Sequence, residues 1–164
     1  MIVSIIGGTG PQGLGIGERL AIEGVDVIIG NQERGRIVEL VELALDEKRT
    51  EILDNVQKMT VDTKFEELGA GTETDKTRAF LKIQEGCNQY CTYCIIPYAR
   101  GFVRSKPIEE IKKEAETLAK NGYIEVVLVG INLSSYGKGS DINLCDAVDT
   151  VCGVEGIKRV RLGS

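Results

Sequence analysis

An α/β fold with parallel strands is the architecture this sequence predicts, and three observations predict it. Short apolar runs ending in glycine, IVSIIG (2–7), VDVIIG (25–30) and IEVVLVG (124–130), read as strands. Stretches with apolar residues at helical spacing lie between such runs. The two kinds of segment alternate along the chain, an order that gives parallel strands joined by right-handed crossovers.

Taken in order, IVSIIG is the first strand, LGIGERLAIEG (14–24) can form a helix closing on Gly24, and VDVIIG is the second strand. Ile37, Leu40, Val41 and Ala44 then recur at helical spacing, with Lys48 and Arg49 near the end where the helix dipole favours cations. Residues 1–49 therefore read as a short Rossmann-like βαβα front. Residues 50–77 lose this period, and GAGTETDKT (69–77) mixes small, polar and charged residues as a linker does, so the domain boundary is drawn there. A third segment, 78–164, carries a strand RAFLKIQ (78–84), a cysteine loop, a helix from Pro107 to Asn121, the strand 124–130, a helix near 142–152 and a strand KRVRLG (158–163).

With 164 residues, 42% apolar and 27% charged, the chain can bury one ordinary core. Met1 is followed directly by IVSII, with no basic leader and no apolar run near about eighteen residues, so the expected place is the cytoplasm, with no membrane partner. A net charge of -5 argues against wholesale nucleic-acid binding and leaves room for a local basic patch.

The chemistry concentrates in GCNQYCTYCIIPYARG (86–101), where Cys87, Cys91 and Cys94 stand close together in a chain with no histidine. Five cysteines are an odd number and a poor disulfide framework, whereas three soft donors in one loop suit an iron-sulfur cluster or zinc. Structural zinc is closed by about four protein ligands, so zinc would have to recruit Cys145 or Cys152. Those two fall with Leu144, Val148 and Val151 on the stripe of a buried helix face and are expected in the core. A 4Fe-4S cluster on three thiolates instead leaves one iron open. Spacing alone keeps the open cluster, zinc and core cysteines as three readings.

Cys87, Cys91 and Cys94, with Tyr93 before the third thiol and a strand before the first, resemble the CxxxCxφC loop of radical S-adenosylmethionine enzymes. TRAFLKIQEGCNQYCTYCIIPYARGFVRSKP, EVVLVGINLSSYG and GIKRVRLGS further resemble the core of tRNA methylthiotransferases, nearest to the branch acting on threonylcarbamoyladenosine, with similarity over about residues 24–164. The resemblance implies a partial, half radical SAM βα barrel. It also implies a 4Fe-4S cluster on Cys87, Cys91 and Cys94, with S-adenosylmethionine as the missing ligand. Tyr93 would line the adenine side, and Gly130, Ile131 and Asn132 would meet the methionine end. In that family the cofactor is cleaved to a radical that starts methylthiolation of a modified adenosine beside the anticodon. The implied partners are tRNA and a reductant protein such as flavodoxin or ferredoxin.

Arg100, Arg104 and Lys106 accompany Tyr90, Tyr93, Tyr98 and Phe102 in a stretch without acids, a combination suited to phosphates and splayed bases of single-stranded RNA. The competing reading is a solvated basic loop over an aromatic cluster. Lys158, Arg159 and Arg161 form a second basic group.

GGTGPQGLGIG (7–17) follows the first strand, and its Gly7, Gly8, Gly10 and Gly13 could let backbone N–H groups approach a pyrophosphate. Residues 1–36 resemble the start of deazaflavin-dependent NADP reductases. The alternative functions are thus an NADP-binding oxidoreductase fragment, expected to bind NADP weakly at best, and a zinc-stabilised binding module without catalysis. The methylthiotransferases carry an auxiliary cluster on amino-terminal thiols, and Gly8 stands where the last of these would fall. Strands of the full barrel are also missing, so the sequence is expected to be a family fragment, with its own enzymatic activity left open.

Overall fold

The computed structural model describes residues 3–5, 27–29, 35–45, 53–55, 64–65 and 78–163. The chain divides into two compact units, one formed by Met1–Leu68 with Asn88–Phe102, the other by Gly69–Cys87 with Val103–Ser164.

In the first unit, β1 (Val3–Ile5), β2 (Val27–Ile29) and β3 (Leu53–Asn55) form a parallel sheet in the order β1-β2-β3. Helix α1 (Ile37–Leu45) buries Leu40, half-buries Ile37 and Val41, and leaves Val38 and Leu43 exposed, as the helical period requires. Arg36 grips Glu39 through two hydrogen bonds of 2.9 and 2.7 Å at its start. β3 falls inside the stretch 50–77 that reads as a linker. Its sequence is LDN, and Asp and Asn are poor strand formers, so the strand exists by pairing with β2 and not by propensity. The expected helix 14–24 and the loop with Gly7, Gly8, Gly10 and Gly13 lie outside the described residues. Helix α2 (Ile96–Arg100) is one short turn beginning after Ile95, with Pro97 buried in its first turn, where a missing N–H costs nothing.

The second unit is built on β4 (Arg78–Glu85), which pairs in parallel with β6 (Glu125–Gly130), itself parallel to β7 (Arg159–Leu162). A two-residue strand, β5 (Arg104–Ser105), runs antiparallel along the end of β4 and gives the order β5-β4-β6-β7. This curled, mostly parallel sheet has the architecture of a partial βα barrel. Two residues carry no period, so β5 was not readable from sequence.

Helix α3 (Ile108–Lys120) connects β4 to β6, and α4 (Leu144–Cys152) connects β6 to β7. Both pack on one face of the sheet. Their Ile111, Ala115, Leu118, Ala147 and Val151 meet Ala79, Leu81, Ile83, Val126 and Leu128 in one core. Pro107 starts α3 and Glu109 and Glu110 occupy its first turn, where the dipole favours acids. Asn143 caps α4 in a closed capping box, accepting from Cys145 N–H at 2.8 Å while Asp146 accepts from Asn143 N–H at 2.7 Å.

Strand β4 is irregular at its carboxyl end. It alternates buried and exposed as far as Lys82, then buries Ile83, Gln84 and Glu85 in succession. The register with β6 shifts between Lys82 and Gln84, so that Lys82 faces Val129 and Gln84 faces Gly130. The extra residue is a β-bulge, a device that re-aims a side chain.

Candidate functional site

Strand β4 ends at Glu85, and Gly86 follows with φ 73, a left-handed conformation that glycine adopts without penalty. This turn takes the chain off the sheet immediately before Cys87. Cys87 and Cys94 are half-buried, Cys91 is exposed, and none is in a disulfide. Within the loop, Cys94 N–H donates to the Cys91 carbonyl at 2.9 Å and closes a turn. Tyr90 takes φ 48 and meets Tyr98 edge to face, ring centroids 5.8 Å apart. Tyr93 is 93% exposed, a ring free to receive a flat partner.

Among the described residues no three thiol or carboxylate side chains stand together as a metal cage. What fits a thiophilic cluster is the donor chemistry: three unbridged thiols in one loop leaving the carboxyl end of a parallel strand, where α/β proteins place their ligands.

The neighbouring strand β6 ends at Gly130, followed by exposed Ile131 and half-buried Asn132. Gln84, fully buried, lies beside this end. Its Oε1 accepts from Asn132 N–H at 2.7 Å, and its Nε2 donates to the carbonyls of Glu85 and Gly86 at 2.8 Å each. A Cβ on Gly130 would stand 2.8 Å from Gln84 Cβ and 2.9 Å from Gln84 Oε1, so glycine is required here by close packing. Gln84 is the residue that sequence reasoning missed. A lone amide in the apolar run FLKIQ, just before the glycine and first thiol, was the available signal.

The basic residues separate. Lys106, expected with Arg100 and Arg104 as an RNA contact, is corrected by the structure: it is 3% exposed and its ammonium pairs with Glu114 at 2.5 Å. Its carbonyl accepts from Tyr136 Oη at 2.7 Å. Burial and the charges of Asp146 and Glu109 push the Tyr136 phenol up to about 12. Arg100 and Arg104 are half-buried. Arg159 and Arg161 both reach Glu125, at 3.0 and 3.3 Å, across β6 and β7. Burial pushes the Glu125 carboxyl up, but the two guanidinium hydrogen bonds outweigh it and hold the group below its ordinary value.

Cys145 and Cys152, expected in the core, are exposed. The buried stripe of α4 runs through Leu144, Ala147, Val148 and Val151, and the cysteines flank it. A groove of about 500 Å³ lined by Lys112, Glu116, Lys120 and Glu155 lies where α3 ends and the chain approaches β7. That is the amino-terminal end of the strands, away from Cys87 and Asn132.

No described helix is long and apolar enough to cross a membrane. Residues 81–159 match the family model of the Radical SAM superfamily. The chain is 43% identical over 152 residues to the threonylcarbamoyladenosine tRNA methylthiotransferase of Bacillus subtilis, covering 90% of this chain and 33% of that protein. To the enzyme of the same name from Aquifex aeolicus it is 35% identical over 147 residues, 90% of this chain and 35% of that protein. To the tRNA-2-methylthio-N(6)-dimethylallyladenosine synthase of Fusobacterium nucleatum it is 38% identical over 168 residues, 98% of this chain and 37% of that protein. The chain thus spans about a third of the length of these relatives. The last match runs through the glycine-rich front as well, and none of these likenesses supports the NADP or zinc readings. Residues 81–159, with the thiol loop and the parallel sheet, thus match the Radical SAM superfamily, and the chain is similar to one part of the tRNA methylthiotransferases.

Proposed function

We propose that this chain is the cofactor-cleaving portion of a tRNA methylthiotransferase. Cys87, Cys91 and Cys94 would hold a 4Fe-4S cluster, with S-adenosylmethionine at the open iron. When bound and reduced, such a cluster supplies the electron that breaks a carbon–sulfur bond of the cofactor. The observation that carries the reading is the three-thiol loop leaving β4 beside the carboxyl end of β6, inside the segment matched to the superfamily.

The roles of the chain's own residues rest on their positions. Gly130, Ile131 and Asn132 offer backbone at a strand end to the methionine part, and exposed Tyr93 offers a ring face to the adenine. Tyr90 and Tyr98 offer further ring faces to splayed bases, with Arg100 and Arg104 as phosphate contacts; Lys106 is committed to Glu114 and is left out. The substrate is a tRNA with a modified adenosine beside the anticodon, the electron donor is a protein such as flavodoxin or ferredoxin, and the compartment is the cytoplasm. As the relatives are about three times longer, methylthio transfer is assigned to the complete protein and not to these residues alone.

Anaerobic reconstitution with iron and sulfide tests this. The expected result is a brown protein with about four irons per chain, a content lost in Cys91→Ala and kept in Cys145→Ala and Cys152→Ala. A colourless protein that binds zinc, or iron loading that depends on Cys145, would overturn it.

A further inference from the structure

Gln84 is a polar side chain buried completely at the end of a strand, and burying an amide is costly unless it is hydrogen-bonded. Here both amide hydrogens and the oxygen are used, and all three partners are backbone groups of two different segments. Two are the carbonyls of Glu85 and Gly86, the last groups before Cys87. The third is the N–H of Asn132, in the turn after β6. The β4–β6 ladder goes no further than Gln84 and Gly130, so beyond that pair it does not join the two segments to each other, although Glu85 also pairs with Arg104 of β5.

Two other features serve the same contact. The alternation that leaves Phe80 exposed and Lys82 half-buried breaks at the register shift between Lys82 and Gln84, and the amide is fully buried. Gly130 carries no side chain where Gln84 needs the space. A core-filling role would be met by a leucine or methionine of similar volume without any of these provisions.

We propose that Gln84 is a positioning residue: it fixes the lead-in to Cys87 and the Gly130–Asn132 turn at one spacing, so that S-adenosylmethionine meets the strand end at a set distance from Cys87. This rests on the cofactor reading above. It separates two tasks. Holding iron belongs to the thiols, whereas presenting backbone to the cofactor belongs to the amide staple.

The test uses the full chain, reconstituted anaerobically, as wild type, Gln84→Met and Gly130→Ala. Gln84→Met removes three hydrogen bonds at nearly constant volume; Gly130→Ala keeps the amide but displaces it. Iron content, S-adenosylmethionine affinity by the change in the electron paramagnetic resonance of the reduced cluster, and hydrogen exchange of the Asn132 amide are measured. Expected are wild-type iron content in both variants, lost protection at Asn132, and S-adenosylmethionine binding weakened at least about tenfold. Wild-type affinity and spectrum in Gln84→Met, with protection at Asn132 lost, would show that the staple only supports the fold and would overturn the proposal. If Gln84→Met fails to fold, Gln84→Asn, which shortens the amide out of reach of Asn132, decides by the same criterion. Absence of iron from the wild type would instead sink the cofactor reading itself, a different and recognisable failure.

Discussion

Lys106 shows how far a side chain's type can mislead about its work. By sequence it stands in an acid-free, aromatic-rich stretch with Arg100 and Arg104. In the fold it is buried, with its charge spent on Glu114 and its carbonyl on Tyr136. Removing one member of a buried pair leaves the other charge without compensation, so Lys106→Met is expected to cost about 3 kcal/mol of stability, read as a lowered urea midpoint at unchanged slope. A variant as stable as wild type would return Lys106 to the set of surface cations. Cys145 and Cys152 mislead in the opposite sense: apolar spacing suggested burial, but the stripe of α4 turns on Leu144, Ala147, Val148 and Val151 and leaves both thiols outside.

Strands and helices with a sustained period were legible. The strand 78–84, the helix 107–121, the strand 124–130 and the strand 158–163 match β4, α3, β6 and β7 to within a residue or two. The elements that could not be read have a common cause: β3, β5 and the bulge of β4 depend on a partner strand and leave no period of their own. The thiol loop was legible because its chemistry is local, and Gln84 was not, because its partner Asn132 lies 48 residues away. The start of α4 offers a clean check of the local kind. Asn143→Ala removes the side-chain half of a closed capping box and should destabilise the chain by about 1 kcal/mol, with Asn143→Asp restoring most of it in thermal unfolding. A neutral Asn143→Ala would mean that packing on the sheet alone fixes this helix end.

Stability of the whole chain should carry the marks of two groups on the sheet unit. Glu125, held below its ordinary 4.5 by Arg159 and Arg161, contributes stability that is complete above that value and is lost as pH falls through the lowered one. Tyr136, raised from 10.0 to about 12, contributes stability that is complete below 10.0 and is lost as pH rises through about 12. Unfolding monitored against pH should show Arg159→Gln with Arg161→Gln shrinking the acid loss, and Tyr136→Phe removing the alkaline one. An unaltered acid limb in the double variant would mean that the β6–β7 ion pairs do not report on folding.

The bulge in β4 has a consequence of another kind. A strand is a device that counts in twos, and every residue after it inherits an odd or even answer. The register with β6 slips after Lys82, so Ile83 and Gln84, next in line, are both buried, and the chain reaches Cys87 in the register this slip sets. Deleting a single residue there would leave net charge and all three thiols intact and yet send them out in the wrong phase. The loop's message is therefore written partly in arithmetic, and a one-residue gap in this strand would be a larger change than most substitutions within the loop itself.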